Sequence, residues 1–419
     1  MGRVSRRAFA TAALSAVTMT AAASAAPARP GPVPSGAAGG RGATAGKMRG
    51  VWLATVANRD RPSRPGLSAD RQRAELIAHL DTAVRNRLNT VILQVRPTAD
   101  ALWPSPYEPW SAYLTGTQGT HPGWDPLGTA VTEAHARGLE LHAWFNPYRV
   151  APHTDPTRLA ATHPARRNPG WVVPYDGKLY YNPGLPEVRA FAVDAMLDAV
   201  RRYPVDAVHF DDYFYPYPVP GQSFDDDTAH DAHGGAFPDR AAWRRDNIDR
   251  LVRETAARVR EIRPGTRFGI SPFGVWRNAA TDRLGSETRA GVQAYDDLHA
   301  DTRRWARENW IDYICPQLYW NIGFAAADYA KLLAWWSAVV EGSGTQLYAG
   351  EALYKAGDPA QPAPWQDPAE LSRHLTLAEE HPQVRGHVFF AARELSTDPV
   401  GAMARVVADH YERPATPPR

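Results

Sequence analysis

The sequence has 419 residues, of which 44% are hydrophobic and 22% are charged, a balance typical of a globular protein. Its 47 basic and 45 acidic residues are interspersed, so charge gives no argument for binding nucleic acid. A single cysteine, Cys315, excludes an internal disulfide and a thiolate cluster, and its apolar surroundings predict a small buried residue rather than a nucleophile.

The N-terminal segment has the features of an export signal. Ser5-Arg-Arg-Ala-Phe9 is a twin-arginine motif, an apolar alanine-rich stretch follows it, and Ala23-Ser-Ala25 offers small residues for a signal peptidase. We therefore predict a twin-arginine signal peptide at residues 1–25 and a disordered linker of Pro, Gly and Ala at 26–46. The apolar stretch is too short for a membrane span, and no cysteine follows it for a lipid anchor. The mature protein is thus expected outside the cytoplasmic membrane, without a membrane span.

From residue 48 onward, short apolar runs alternate with helical patterns. The runs occupy 50–55, 90–95, 139–146, 207–213, 267–273, 313–320, 346–352 and 386–392. Helical patterns between them include 70–87, 186–202, 243–263 and 368–380. This alternation predicts an α/β fold, a single (β/α)8 TIM barrel over residues 47–412, followed by a disordered tail at 413–419. The stretch 147–204 leaves room for an extra hairpin. An open doubly wound sheet stays possible, although no glycine-rich phosphate fingerprint follows any run.

Polar and aromatic residues follow seven consecutive strand ends, which is where a TIM barrel places its active site. Structural capping explains one or two such positions, but not all of them together. The predicted substrate-binding residues are Arg96, Asp100, Asn146, Tyr148, Arg149, Tyr213, Ser271, Trp276, Arg277, Gln317, Tyr319 and Trp320. An extended groove for an oligosaccharide is further indicated by the loop aromatics Trp103, Tyr107, Trp110, Tyr113, Phe214, Tyr215 and Tyr217.

Hydrolysis of an acetal requires two carboxyl groups placed astride the scissile bond. Asp211 and Asp212 end the fourth strand, and Glu351 at the end of the seventh could supply an opposing carboxylate. Because side chains alternate along a strand, Asp211 shares the face of His209 and is predicted to point into the barrel. Two adjacent aspartates also disfavour joint ionisation, which raises the chance that one has a high pKa and acts as the proton donor.

Each of these acidic positions also has a structural interpretation. Asp211 and Asp212 could cap the following loop, or they could hold Arg96 or Arg149 in a salt bridge. Glu351 could equally pair with a neighbouring arginine, as glutamates at strand ends often do.

The acidic segment 225–233 contains residue types that bind metals. Its spacing matches no ordered calcium loop, so we expect a solvated loop after the fourth strand rather than a metal site. His142 and His209 lie within strands, where histidines satisfied by their neighbours are expected. No serine–histidine–aspartate order with a nucleophile elbow occurs, which argues against an esterase. Neither a metal nor a cofactor is expected.

Several long motifs at successive strand ends resemble a known family. They are Arg49-Gly-Val-Trp-Leu-Ala-Thr, Leu93-Gln-Val-Arg-Pro-Thr-Ala-Asp-Ala-Leu-Trp-Pro-Ser, Trp144-Phe-Asn-Pro-Tyr-Arg, Val208-His-Phe-Asp-Asp-Tyr-Phe-Tyr-Pro, Gly269-Ile-Ser-Pro-Phe-Gly-Val-Trp-Arg-Asn and Asp312-Tyr-Ile-Cys-Pro-Gln-Leu-Tyr-Trp. Together they are similar to the glycosyl hydrolase-like 10 family, over residues 48–392. The resemblance implies a TIM barrel whose Asp-Asp motif corresponds to Asp211 and Asp212. One member type is a divisome-localised hydrolase of peptidoglycan strands stripped of their stem peptides. That implies a substrate of alternating N-acetylglucosamine and N-acetylmuramic acid.

The sequence therefore predicts an exported glycoside hydrolase acting on cell-wall glycan, with peptide-free peptidoglycan as the expected substrate. One of Asp211 or Asp212 would be the general acid, and the other, or Glu351, would stabilise or attack the oxocarbenium-like centre. Two alternatives stay open: hydrolysis of another extracellular polysaccharide, and a catalytically inactive barrel that binds glycan. The separation of the carboxyl groups decides between a retaining and an inverting outcome.

Overall fold

The computed structural model describes residues 46–418. Within that range, no helix combines the length and the apolar character needed to cross a lipid bilayer. The signal peptide expected at 1–25 lies outside the described residues, as does the linker expected at 26–46 apart from its last residue. In the expected tail, the carbonyl oxygen of Arg413 accepts a hydrogen bond from the guanidinium of Arg49 at 2.7 Å.

The strands form a barrel and one small separate sheet. In residues 46–418 they are β1 Met48–Leu53, β2 Thr90–Arg96, β3 Glu140–Phe145, β4 Arg149–Ala151, β5 Val172–Tyr175, β6 Lys178–Tyr181, β7 Ala207–Phe210, β8 Arg267–Ile270, β9 Tyr313–Ile314, β10 Gln346–Glu351 and β11 Val384–Phe390. β1, β2, β3 and β7 to β11 pair in parallel and close into a barrel when β11 pairs with β1. Each of the eight apolar runs overlaps one of these strands, so the predicted (β/α)8 barrel is confirmed. Cys315, directly after β9, is fully buried, as expected.

Helices connect the strands and cover the barrel. In the same described residues they are α1 Ala69–Arg85, α2 Ala112–Thr115, α3 Pro126–Ala136, α4 Pro164–Arg167, α5 Pro186–Arg202, α6 Asp227–His233, α7 Arg240–Ile262, α8 Ala294–Asp297, α9 Thr302–Arg307, α10 Tyr329–Val340, α11 Glu370–Ala378, α12 Ala392–Thr397 and α13 Ala402–His410. The four predicted helices are confirmed as α1, α5, α7 and α11. Local signals explain the starts of α1 and α5: Ser68 accepts a hydrogen bond from the backbone N–H of Arg71, and α5 begins with a proline.

The stretch 147–204 contains the extra hairpin for which the sequence leaves room. β5 and β6 are antiparallel and are joined by Asp176 and Gly177, both with positive φ, the geometry of a tight two-residue turn. β4 pairs with β6 to complete a three-stranded sheet. Because β4 follows the end of β3 closely, its first residue, Arg149, lies at the carboxyl end of the barrel, where its charge acts on Asp211.

Inward side chains fill the barrel with a core that is partly polar. The Tyr313 hydroxyl lies 2.9 Å from Nδ1 of His142 and 2.8 Å from Nδ1 of His209. The indole N–H of Trp52 donates to Nε2 of His209 at 3.2 Å. Burial lowers the pKa of both histidines well below the usual range, so both are neutral. The expectation of satisfied core histidines is confirmed. The next inward residue along the chain after His209 is Asp211, just beyond the end of β7.

Candidate active site

Asp211 follows β7 and faces the barrel interior, as strand alternation predicts. Its Oδ2 accepts hydrogen bonds from Nε1 of Trp144 at 3.1 Å and from Nδ2 of Asn146 at 2.6 Å. Its Oδ1 accepts from the backbone N–H of Tyr213 at 3.1 Å. Burial raises the pKa of Asp211, whereas the positive charge of Arg149 and the three donors favour the ionised form. The carboxylate is therefore an oriented hydrogen-bond acceptor.

The orientation of Asn146 depends on Gln94, which is not among the predicted site residues. Nε2 of Gln94 donates to Oδ1 of Asn146 at 2.6 Å, while its Oε1 accepts from the backbone N–H groups of Thr55 and Val56, both at 2.9 Å. Each amide oxygen thus faces donors and each amide nitrogen faces an acceptor. The signal that could have identified Gln94 is a polar side chain at a fully buried position of an otherwise apolar strand.

Asp212 lies beyond the last residue of β7 and has different partners. The hydroxyl of Tyr217 donates to its Oδ2, and the amide of Gln317 also hydrogen-bonds its carboxyl group. Nε2 of Gln317 is itself held by the backbone carbonyl of Ser271 at 2.9 Å. Burial, and then the negative charge of Asp211, raise the pKa of Asp212 to about 6 against the effect of these hydrogen bonds. A carboxyl group that titrates near neutrality can give and take a proton, as the general acid of glycosidic-bond cleavage must.

Arg149 and several partly exposed aromatic side chains surround the aspartate pair. The guanidinium of Arg149 lies over the ring of Tyr213, 4.1 Å from its centroid. Burial raises the pKa of Tyr319 well above its ordinary value, and the negative charge of Asp212 contributes to the same shift. The predicted binding residues that lie around the pair, or in the aromatic rim that continues from it, are Asn146, Arg149, Tyr213, Ser271, Gln317, Tyr319 and Trp320.

Glu351 is not part of this site, which corrects the expectation that it supplies an opposing carboxylate. Its Oε1 accepts a hydrogen bond from the Tyr329 hydroxyl at 2.7 Å and lies 2.9 Å from Nδ1 of His387, and its Oε2 lies 2.8 Å from Nδ1 of His374. Tyr329 and His374 belong to α10 and α11, so the carboxylate points out of the barrel into the helix layer. Burial opposes its charge, but the histidines outweigh burial and lower the pKa of Glu351 to about 2. Its partners are thus histidines, not the arginine that the structural interpretation suggests.

Arg96 also has a structural role and does not bind the substrate. It is fully buried and donates two hydrogen bonds to the carboxylate of Glu108, at 2.7 and 2.6 Å. Another of its nitrogens donates to the backbone carbonyl oxygens of Asn146 and Pro147. The predicted substrate contact is therefore wrong, and of the two arginines that the structural interpretation offers as partners of the aspartate pair, Arg96 is not one. Arg96 instead holds the loop that carries Asn146 in place.

The four other predicted binding residues are held in loop packing. Tyr148 is fully buried, and Asp100 and Trp276 are 1% and 4% exposed. Burial raises the pKa of Asp100 to about 7. The guanidinium of Arg277 forms two hydrogen bonds of 2.8 Å to the carboxylate of Asp296. These side chains lie in the loops around the site and are not among the partners of Asp211 and Asp212.

The loop aromatics divide in the same way between core and surface. Trp103, Phe214 and Tyr215 are at most 2% exposed, so their assignment to a sugar-binding groove is wrong. Phe214 packs edge-to-face against Trp305, whose centroid lies 5.3 Å away, beneath α9. Tyr217 stays partly exposed beside Asp212.

The segment 225–233 contains a helix, α6, instead of the solvated loop that its composition predicts. Asp226 is buried and accepts hydrogen bonds from Arg244 at 2.7 and 2.8 Å and from Arg240 at 3.1 Å. The acidic cluster therefore anchors α6 to α7. Throughout residues 46–418, no group of three or more His, Cys, Asp or Glu side chains is placed to hold a metal ion.

A closed (β/α)8 barrel with two carboxyl groups at the carboxyl end of one strand is an arrangement compatible with a TIM-barrel glycoside hydrolase. Residues 47–367 match the glycosyl hydrolase-like 10 family, to which the chain belongs. The protein is accordingly a hydrolase that cleaves glycans, and the alternative of an inactive glycan-binding barrel is set aside.

Two relatives and two solved structures illustrate the similarity. The glycosyl hydrolase YngK of Bacillus subtilis (strain 168) is 48% identical over 375 residues, which cover 89% of this chain and 73% of that protein. The glycosyl hydrolase DigH of Escherichia coli (strain K12) is 42% identical over 363 residues, 82% of each chain. The PgaB (BpsB) glycoside hydrolase domain from Bordetella bronchiseptica aligns with a TM-score of 0.56 at 12% identity, covering 86% of this chain and 98% of that one. The catalytic domain of β-amylase from Paenibacillus polymyxa aligns with a TM-score of 0.52 at 9% identity, covering 87% and 98%. These two structures share the fold.

Proposed function

We propose that the protein is exported and hydrolyses peptidoglycan glycan strands from which the stem peptides have been removed. One observation carries the proposal: a nearly buried arginine, Arg149, lies beside the Asp211 and Asp212 pair. The family resemblance implies a glycan of alternating N-acetylglucosamine and N-acetylmuramic acid. Removal of the peptide leaves a free carboxylate on each muramic acid. A fixed positive charge next to the catalytic pair suits a substrate that carries this negative charge near the scissile bond.

The position of Arg149 supports a preference for stripped strands. Its guanidinium is stacked over Tyr213, which limits its rotation and pre-organises it for a planar anion. An arginine can bind a carboxylate through two parallel hydrogen bonds. In complete peptidoglycan the same muramic acid carboxyl group forms an amide with the bulky stem peptide. This amide is neutral, so Arg149 would meet no anion at that position.

The direct test is incubation with two forms of purified sacculi, one intact and one stripped of peptides by an amidase. Soluble products are identified by mass spectrometry, and the Asp212→Asn variant is the control for a contaminating activity. We expect saccharide fragments from the stripped material alone, and none with the variant. Products from neither form, with a folded protein, would favour hydrolysis of another extracellular polysaccharide.

The role of Arg149 is tested with a charged and an uncharged substrate. Hydrogen bonds to a charged group contribute ~1.5–3 kcal/mol, so Arg149→Gln should lower kcat/KM on stripped glycan by ~10–100-fold. The rate on a chito-oligosaccharide, which lacks the lactyl carboxylate, should fall much less. An equal loss on both substrates would mean that Arg149 supports the site and does not read the charge.

Export is tested separately from hydrolysis. The twin-arginine motif at Arg6 and Arg7 and the small residues near Ala25 support transport of the folded protein across the membrane. We expect the protein in the extracytoplasmic fraction, and retention in the cytoplasm when both arginines are replaced by lysine. Unchanged fractionation of the double variant would refute the twin-arginine route.

A further inference from the structure

We infer that hydrolysis is substrate-assisted: the 2-acetamido oxygen of the cleaved sugar attacks its own anomeric carbon, Asp211 accepts a hydrogen bond from the acetamide N–H, and Asp212 protonates the leaving oxygen. The inference rests on the proposed function in one respect, because both sugars of peptidoglycan glycan carry a 2-acetamido group. It narrows the substrate class to N-acetylated amino sugars and assigns different tasks to the two aspartates.

The hydrogen bonds of Asp211 fit the task of holding an amide. An ionised carboxylate offers about four lone-pair positions. Trp144 and Asn146 occupy both positions on Oδ2, and the backbone N–H of Tyr213 occupies one on Oδ1. These three donors leave one acceptor position on Oδ1. An acetamide N–H is a donor that completes the set.

The same donors hold Asp211 in a fixed position. Its carboxylate belongs to a chain of hydrogen-bonded side chains, because Asn146 is itself fixed by Gln94 and the backbone after β1. An acceptor that orients the acetamide has to stay where it is, which is what this chain of hydrogen bonds achieves.

The placement of the two carboxyl groups also favours a nucleophile that belongs to the substrate. Direct hydrolysis uses carboxyl groups on opposite faces of the sugar, ~5–9.5 Å apart depending on the stereochemical outcome. Asp211 and Asp212 are consecutive and both follow β7, so neither lies across the barrel from the other. The carboxylate expected across the barrel, Glu351, is bound to Tyr329 and His374 in the helix layer. The acetamido group reaches the far face of the anomeric carbon from within the sugar.

The two steps balance without any added reactant except water. In the first step, the acetamide oxygen bonds to C1 while the bond from C1 to the leaving oxygen breaks, and the proton of Asp212 passes to that oxygen. The N–H of the resulting oxazolinium ring remains hydrogen-bonded to Asp211. In the second step, water gives its proton to Asp212 and its oxygen to C1, and the ring opens to restore the acetamide. Two inversions at C1 produce overall retention.

The test changes the acyl group and nothing else. Stripped glycan is chemically de-N-acetylated and then re-acylated, with acetyl groups in one sample and trifluoroacetyl groups in the other. Fluorine withdraws electrons from the amide oxygen, so the second glycan should be cleaved at least ~10²-fold more slowly, the scale of a positioned catalytic group. The loss should appear in kcat rather than KM. Equal kcat on both glycans would overturn the inference.

Binding of an N-acetylglucosamine-derived thiazoline, a stable analogue of the oxazoline, separates this inference from the proposed function. Calorimetry should show binding to the wild-type protein, weakened at least ~10-fold by Asp211→Ala and unchanged by Asp225→Asn at an exposed position. Thiazoline binding without cleavage of peptidoglycan would support the inference and refute only the proposed polymer. Cleavage of stripped peptidoglycan without thiazoline binding would support the function and refute the inference. Failure of both would refute both.

Discussion

Replacing Asp212 with asparagine keeps the shape of the side chain and removes its titratable proton. A positioned general acid accelerates proton transfer by ~10²–10⁴-fold, which corresponds to ~3–5 kcal/mol of the activation barrier. We therefore expect Asp212→Asn to lower kcat on stripped glycan at least ~10²-fold. KM should change little, because the amide can still accept the hydrogen bond from Tyr217 and contact Gln317.

The dependence of the rate on pH identifies the group more specifically. The pKa of Asp212 is raised to about 6 by burial and by the charge of Asp211. Because the acid must be protonated to act, kcat/KM of the wild-type protein should fall above pH 6, approaching tenfold per pH unit. The variant has no proton to lose at this position, so its low residual rate should be flat through the same range.

The assay measures initial rates of soluble saccharide release from roughly pH 4 to 9, the span over which carboxyl groups and histidines titrate. Thermal unfolding checks that each variant is folded, and Asp225→Asn is the matched control because it makes the same change of side chain at an exposed position. A variant Asp212→Asn that keeps its activity within about tenfold, or that keeps the decline above pH 6, would refute the assignment of the acid.

Three further variants test the surroundings of the pair. Tyr217→Phe removes the hydroxyl that favours the ionised form of Asp212, so the pKa of Asp212 should rise. The decline of kcat/KM should therefore move to higher pH. A shift to lower pH would contradict the hydrogen bond. Glu351→Gln removes the carboxylate beside Nδ1 of His374 and leaves Glu370 as its one remaining charged partner. It should cost ~3–5 kcal/mol in the free energy of unfolding near neutral pH. Because the pKa of Glu351 is lowered from 4.5 to about 2 in the folded state, its charge stabilises the fold above pH 4.5 and loses this effect as pH falls toward 2. Chemical denaturation should therefore show a difference between wild type and variant that shrinks in acid, and a constant difference would contradict the charge pairing. Asn146→Ala should lower kcat without lowering the unfolding temperature by more than a few degrees, and an unchanged kcat would show that the amide orients nothing.

The barrel could be predicted from the sequence because its signals are local. Each barrel strand is a short apolar run of its own, and helices such as α1 and α5 begin with a capping residue or a proline. Strand alternation also placed Asp211 correctly, since His209 two residues earlier lies in the barrel interior. The hairpin in the stretch 147–204 could be located but not assigned to a sheet. Its partner strand β4 is only three residues long and carries no pattern of its own.

Alternation would also have excluded Glu351 if it had been applied to β10. Tyr348 packs in the barrel interior against Tyr313, so residues at odd positions of that strand, among them Glu351, face the helices. No local sequence pattern reveals the partner that compensates the buried charge of Glu351. His374 lies 23 positions further along the chain, on α11, and its contact with Glu351 is made only in the folded structure.

The carboxyl groups at the strand ends are chemically alike but differ in their surroundings, and the surroundings decide which of them can exchange a proton near neutrality. Glu351 is surrounded by groups that neutralise it, so its pKa falls and its proton is unavailable near neutrality. Asp212 is buried beside a second carboxylate, so its pKa rises into the range where a proton can be exchanged. Asp211 creates this shift only if it stays ionised, which depends on Trp144 and Asn146. The donors around Asp211 thus act on Asp212 through it: weakening them should lower the pKa of Asp212 as well as misplace the substrate.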